Sequence, residues 1–331
     1  MRTTIRGTPV VVAPGKLFLV GEYAVLDGGT AVVAATTRQA VAQYMIGCKP
    51  ESPLVAESVR AAAAAAGERA SALPWGSVLV NTEEFSERDT KLGLGSSAAA
   101  ATAAVGAVFE VAGMPVAHNR DLLFATADAA HRAAQGGLGS GADVAASVYG
   151  GVIKFVRPPG AAPTITSLSM PSTLQTVVFW TGHATSTGEL VKKVLSFARG
   201  KQDLWDGLMR PLKAEADRFV AALLDSNVAG VITAAQRYYK GLSDLGDASS
   251  VSIVTPAFRQ AAEIAEGLGG AAKPSGAGNG DVGVAFFSDP GAAGEFTFAA
   301  AHAGLRRIEV GIATNGVRRR LVGPSRNDGS P

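Results

Sequence analysis

The chain has 331 residues, of which 47% are hydrophobic and 18% charged, with a formal net charge of +2; that is enough apolar material for two domains with buried cores, and so balanced a charge argues against a nucleic-acid partner. The single cysteine, Cys48, allows no internal disulfide and no cysteine metal cluster. No apolar run approaches the ~18 to 20 residues that span a bilayer, and MRTTIRGTPVVVAPGK has too short an apolar stretch for a signal peptide, so the expectation is a cytoplasmic protein with no membrane partner, a monomer or homodimer.

In chain order, TPVVVAPGKLFLVGEYAVL and AVVAATTRQAVAQYMIG alternate apolar runs with turn residues and predict strands joined by short loops. The alanine-rich residues 55–72 predict a helix and WGSVLVNT a further strand. KLGLGSSAAAATAAVGAVFEVAG, Lys91 to Gly113, then sets a glycine-and-serine turn before a helical run with no charge until Glu110. NRDLLFATADAAHRAAQG has helical spacing with Asn119 as N-cap, and a second glycine-rich segment, GGLGSGADVAASVYGG, leads into a strand, VIKFV. The proline- and serine-rich RPPGAAPTITSLSMPS reads as an exposed loop and puts a domain boundary near residue 171, giving 1–171 and 172–331. Beyond it, LQTVVFWTG predicts a strand and GELVKKVLSFARG, LWDGLMRPLKAEADRFVAALLDS and NVAGVITAAQRYYKGLSDLG predict helices. KPSGAGNGDVGVAFF predicts a glycine-rich loop entering a strand, and the basic triplet Arg318 to Arg320 reads as a solvated face.

Three glycine-rich segments concentrate the chemistry. In GLGSSAAAA, Gly93 and Gly95 let backbone amides approach a ligand, and Ser96 or Ser97 can cap a helix whose first amides have no partner inside it. Free amides and the helix dipole suit a phosphate, and a serine hydroxyl there also reaches a magnesium ion. A helix start packed with small residues for structural reasons alone is the other reading of the same letters. No segment fits G-x-x-x-x-G-K-[ST], and the G-x-G-x-x-A match at Gly93 follows polar EFSERDTK instead of a buried strand, so neither ordinary phosphate loop applies. The second segment holds Asp143 behind Gly139 and Gly141, either as a functional acid or as a helix-start aspartate worth about 1 kcal/mol to its helix. SGAGNGDVGVAFF either bends around a ligand or is a tight turn feeding a strand.

In order and spacing, APGKLFLVGEYAVLDGG, GLGSSAAAA and KPSGAGNGDVGVAFF resemble the three motifs of the GHMP kinases, the family of galactokinase, homoserine kinase, mevalonate kinase and phosphomevalonate kinase. The resemblance spans almost the whole chain. It implies an α/β (α+β) two-domain fold: an N-terminal ATP-binding domain like ribosomal protein S5 domain 2, a ferredoxin-like C-terminal domain and an active site between them. It also implies ATP-dependent phosphorylation of a small molecule with Mg2+. Matching motif positions implies Lys16 and Asp143 as the catalytic pair, Gly93, Leu94, Gly95, Ser96, Ser97 and Ala98 as the ATP phosphate loop, and Ser97 as a metal ligand. The implied substrate side is Lys16, Glu22, Tyr23, Ser140, Gly141, Ser186, Thr187, Ser275, Gly276, Ala277 and Gly278, with Asp281 just after the third motif. A lysine suits such a centre because phosphoryl transfer is mostly positioning and electrostatics.

Within the family, AAHRAAQGGLGSGADVAASVYGG and WTGHATSTGELVKKV are similar to the phosphomevalonate kinases, which implies 5-phosphomevalonate as the partner of ATP. Mevalonate kinases carry a metal-binding glutamate ahead of the catalytic aspartate, where this chain has His131 and Arg132, both poor magnesium ligands. The first motif is compatible with both enzymes, so phosphorylation of the mevalonate hydroxyl is the alternative. A non-catalytic GHMP-fold binder would have no need of Lys16, Ser97 and Asp143 together, and the motifs of mevalonate diphosphate decarboxylase match less well. Lys192 and Lys193 either receive an anionic substrate with Thr181, Ser186 and Thr187 or form a solvated helix face. His131 reads as a satisfied helix histidine, and Trp205, Tyr238 and Tyr239 as packing instead of an adenine platform.

Overall fold

The computed structural model describes residues 8–87, 90–185 and 187–320. Ser186, one of the expected substrate residues, lies outside the described residues. β1 (Val10–Val20) and the long β2 (Thr30–Ile46) form an antiparallel pair joined through a single 3-10 turn, Ala24–Asp27. α1 (Pro53–Ala66) starts where Ser52 accepts from the Val55 amide and Pro53 enters the first turn, and it stops at Gly67. The helix expected over 55–72 is therefore split, with a separate short turn, α2 (Glu68–Ser71). β3 (Gly76–Asn81) pairs with the far half of β2, and the short β4 (Ser86–Glu87) and β5 (Thr90–Lys91) pair with each other.

Next come α3 (Ser96–Val111), α4 (Arg120–Ala134) and α5 (Ala142–Tyr149). Every residue of α3 from Ala98 to Phe109 is buried, and alanine on all sides is what allows β1, β2, α1 and α4 to close on one helix. Asn119 stands at the start of α4, but its side chain donates to the Pro115 carbonyl and does not cap the helix. β6 (Val152–Val156) is followed by β7 (Thr164–Leu168), a strand inside the segment expected to be loop. Its Ile165 and Leu168 turn toward the core while every residue pairs with β6, which overrides the loop-like composition.

The second half runs β8 (Gln175–Trp180), α6 (Thr187–Gly200), α7 (Gln202–Leu224), α8 (Val228–Ser249), α9 (Pro256–Gly267), β9 (Ala271–Pro274), β10 (Val282–Phe287), α10 (Pro290–His302), β11 (Arg306–Arg307) and β12 (Arg318–Arg320). α9 and α10 both begin with proline in the first turn, and Asp289 caps α10 by accepting from the Ala292 amide at 2.8 Å. The first sheet has six strands in the order β12-β1-β2-β6-β7, with β3 also on β2; the second has four antiparallel strands in the order β11-β8-β10-β9. β10 is buried along its whole length, and Phe179, Phe258, Phe287 and Phe296 pack ring against ring between this sheet and its helices.

The chain passes from one sheet to the other near residue 171, where we propose the domain boundary. It does not stay there to the end. Thr36 bridges Ile312, and β12 pairs with β1, so the segment from Ile312 to Arg320 belongs to the first sheet by its pairing. The basic triplet read as a solvated face is thus also an edge strand, which keeps its arginines outward along an edge that charge protects. No helix among the described residues is long and apolar enough to cross a membrane.

Candidate active site

Two helices begin at one cleft. α3 starts from Gly95 at φ 82° and α5 from Gly141 at φ 85°, and no side chain caps either. The expected serine cap of α3 does not form, because a left-handed glycine at the cap carries Ser96 and Ser97 into the first turn and the Ser97 hydroxyl meets His131 Nε2 at 3.0 Å. The first turn of α3 leaves amide groups and the positive end of its dipole for an anion, whereas at α5 the Ala142 amide donates to the Ser140 hydroxyl at 3.3 Å and the Val144 amide to Asp143. The loop between Lys16 and Asp281 admits no side chain: a Cβ on Gly95 would stand 2.6 Å from Lys16 Cγ, and one on Gly93 would stand 2.4 Å from Asp281 Cβ.

Lys16 lies on β1 where the register with β2 shifts between Pro14 and Lys16. Its amide donates to the Leu94 carbonyl at 2.8 Å and its Nζ to the Gly93 carbonyl at 3.1 Å, with the Phe18 ring 5.6 Å from the ammonium. Burial lowers its pKa, and Asp143, Asp281 and Glu22 act against that shift. Asp143, in the first turn of α5, accepts from the Val144 amide at 2.9 Å through Oδ1, while Oδ2 lies 3.9 Å from His131 Nδ1. Asp281 accepts from the Thr185 amide at 3.0 Å, and burial raises its pKa against the Thr185 amide and Lys16.

Glu22 and Tyr23 hold the third motif to the first. Lys273 is fully buried on β9 and donates to Glu22 Oε1 at 2.5 Å and to the Pro274 carbonyl at 2.7 Å, while the Gly276 amide approaches the same Glu22 oxygen at 3.4 Å. Burial pushes the Lys273 pKa down and Glu22 pulls it back. Tyr238 on α8 donates to the Glu22 carbonyl at 2.5 Å, and Tyr23 donates to the Ala277 carbonyl at 2.6 Å; burial raises both phenol pKa values. Glu22 Oε2 remains buried with no hydrogen-bond partner. Trp205 is buried too and donates to Asp27 Oδ1 at 3.2 Å, so it and Tyr238 pack and tie the halves together.

The cleft has a volume of about 240 Å³. Of the residues expected from the sequence, Lys16, Glu22, Tyr23, Gly93, Gly95, Ser96, Ser97, Ser140, Asp143, Thr187, Gly276 and Ala277 line it. Leu94 and Ala98 are buried beneath the loop, Gly141 and Ser275 are buried behind the wall, and Gly278 packs against the Ile253 carbonyl. Lys192 and Lys193 are exposed on α6 and do not line the cleft. Lys91, Gln135, Thr185 and Asp281 do, and none of the first three was read from the sequence as a site residue. Lys273 escaped as well, although a lysine between Ala271, Ala272 and Pro274 in an otherwise buried strand is a signal of a buried partner. Among the described residues, no three His, Cys, Asp or Glu side chains gather as a metal site.

Residues 68–151 match the GHMP kinases N terminal domain and residues 213–304 the GHMP kinases C terminal domain. The chain is 30% identical to the phosphomevalonate kinase of Streptomyces sp. (strain CL190), over 86% of this chain and 91% of that one. A Lin0012 protein from Listeria innocua shares the fold at a TM-score of 0.84 with 24% identity, covering 95% of this chain and 100% of that one. Streptococcus pneumoniae phosphomevalonate kinase, solved in complex with phosphomevalonate and AMPPNP, shares it at 0.79 with 21% identity, covering 92% and 99%. L. major mevalonate kinase in complex with R-mevalonate follows at 0.67 with 17% identity, covering 95% and 98%. With both family domains matched and a relative of that identity along most of its length, the chain belongs to the GHMP kinase family, has its two-domain fold and is a kinase.

Proposed function

We propose that this kinase transfers the γ-phosphoryl group of ATP to the phosphate of 5-phosphomevalonate, giving 5-diphosphomevalonate, in the cytoplasm and as a monomer or homodimer. Lys16 and Asp143 are its catalytic pair, and Gly93 to Ala98 its triphosphate loop. One observation carries the reading: Lys16, the uncapped start of α3 at Gly95 and Asp143 at the start of α5 come together at one cleft. Such a centre supplies the positioned positive charge that phosphoryl transfer needs. The acceptor is supported by the identity to the Streptomyces enzyme, and ATP by the AMPPNP held in the Streptococcus relative. The motif resemblance adds that His131, which is buried, and Arg132 stand where mevalonate kinases carry a metal-binding glutamate.

The acceptor sets what each residue does. A phosphate monoester has a second pKa near ~6 and is largely ionised at pH 7, so it arrives as a nucleophile without a base to deprotonate it. The obstacle is repulsion between two phosphates, and Lys16 offsets it. Asp143 then serves mainly to keep Lys16 charged, its carboxylate opposing the shift that burial imposes on the lysine. Magnesium fits the donors present, because the Ser97 hydroxyl and the Asp143 carboxylate both line the cleft and this ion takes one or two protein oxygens beside substrate phosphates. When bound it supplies neutralising charge on the triphosphate. The test is to offer the purified protein magnesium ATP with mevalonate and with 5-phosphomevalonate in parallel and to resolve the products by phosphorus NMR. Formation of a diphosphate from 5-phosphomevalonate is expected; efficient use of mevalonate alone would replace this reading with that of a mevalonate kinase.

A further inference from the structure

The proposed reaction leaves His131 without a task, yet its surroundings give it one. The side chain is fully buried on α4. Nε2 lies 3.0 Å from the Ser97 hydroxyl and 3.0 Å from Gln135 Nε2, and Nδ1 is buried with no hydrogen-bond partner, 3.9 Å from Asp143 Oδ2. A neutral imidazole carries its proton on one nitrogen and a lone pair on the other. With the proton on Nε2, the Nδ1 lone pair would face a carboxylate oxygen, and the N–H would face the amide nitrogen of Gln135. With the proton on Nδ1, the N–H is on the side of Asp143, and the single Nε2 lone pair is shared between the Ser97 hydroxyl and the Gln135 amide. Electrostatics favours the second arrangement at both ends of the ring.

We propose that His131 is a positioning residue, held as the Nδ1–H tautomer, that fixes two groups of the cleft at once. Toward Asp143, 3.9 Å away and beyond a direct hydrogen bond, it turns an N–H dipole that attracts the carboxylate; toward Ser97 it accepts a hydrogen bond from the hydroxyl, which keeps its proton. The serine oxygen then presents its lone pairs to the cleft, as a ligand for a cation, and is not a donor to a phosphate oxygen. A helix position that reads in sequence as a poor metal ligand thereby orients the groups that face the triphosphate. The inference rests on the cleft being the phosphoryl-transfer site, but the tautomer can be read without turnover.

The first arm of the test is the ligand-free protein labelled with nitrogen-15. Long-range proton–nitrogen spectra distinguish the two tautomers, and the four histidines of the chain make the His131 signals assignable by their loss in His131→Gln. A protonated Nδ1 with an unprotonated Nε2 is expected; the reverse pattern overturns the proposal. The second arm compares His131→Ala with His131→Asn, whose amide nitrogen takes the place of Nδ1. Alanine is expected to lower kcat by roughly 10- to 100-fold while the KM for the acceptor moves by less than about threefold, and asparagine is expected to recover part of the loss. A folded alanine variant with kcat near that of the parent, or an asparagine variant no better than alanine, overturns it. If no acceptor is phosphorylated at all, the functional reading fails while the spectrum still decides the tautomer.

Discussion

Replacing Lys16 by methionine keeps the length and apolar stem of the side chain and removes only the ammonium. That group donates to the Gly93 carbonyl at 3.1 Å inside the cleft, so a γ-phosphoryl group drawn to the start of α3 would lie close to it. A unit charge about 4 Å from a developing charge at an effective dielectric near 20 is worth about 4 kcal/mol. At about 1.4 kcal/mol per tenfold, kcat/KM is expected to fall by about a thousandfold. Asp143→Asn is expected to be milder and to fall short of the ~10² to 10⁴ that a general base contributes, because an ionised acceptor needs none. Stability should not follow activity. Burial lowers the Lys16 pKa on balance, so the folded protein bears a penalty for that charge, and the methionine variant is expected to melt no lower than the parent. The assay is ADP release coupled to a spectroscopic readout at varied ATP and acceptor, with thermal melting of each variant alongside. A folded Lys16→Met protein within tenfold of the parent would refute the reasoning, as would Asp143→Asn losses equal to those of Lys16→Met.

Four other outcomes are expected. Ser97→Ala should raise the KM for magnesium ATP more than that for the acceptor, and equal rises would count against a triphosphate loop at Gly93 to Ala98. Glu22→Gln leaves the buried Lys273 without its counter-charge and should destabilise the protein by about 3 to 5 kcal/mol in urea unfolding; a loss below about 1 kcal/mol would show that the pair is not ionic. Burial raises the Asp281 pKa, so the folded state holds more protons than the unfolded state in the window above 3.8, and stability is lost as pH rises through it. Asp281→Asn keeps an acceptor for the Thr185 amide, should melt higher at pH 7 and should flatten that dependence, whereas a lower melting temperature contradicts the assignment. Finally, kcat/KM should fall as pH rises through the lowered Lys16 pKa, giving an alkaline limb below 10.5 that Lys16→Arg moves upward; a limb that stays put in the arginine variant belongs to another group.

What the sequence made legible was what acts through neighbouring residues. Gly93, Gly95 and the serines announce a helix start, and Asp143 announces another, because a left-handed turn and an open first helical turn are local properties of the chain. Even there the serine preference for the cap position misled. Gly95 holds that position since the Lys16 stem fills the space a side chain would need, and Lys16 comes from a strand far away in sequence. Composition likewise misread Thr164–Leu168, where pairing with β6 decides the conformation, and it could not show that the exposed Arg318–Arg320 also pairs with β1.

The less legible part has a common cause. Glu22 and Lys273 are 251 residues apart in the chain, and Tyr23 and Ala277 are 254 apart, so no periodicity or motif couples them, and only the approach of the two sheets does. A lysine among alanines in β9 hints at a partner but not at which one. His131 was read as satisfied, and one of its nitrogens is; the other faces Asp143 from a different helix, a relation that a helical wheel of α4 cannot contain. The phosphate chemistry of this fold can therefore be inferred from single helix starts, each carrying its own dipole and amides. The choice of acceptor cannot, because it depends on which charges from both sheets meet around Lys16. For that reason the two-substrate comparison decides more about this protein than any further reading of its motifs.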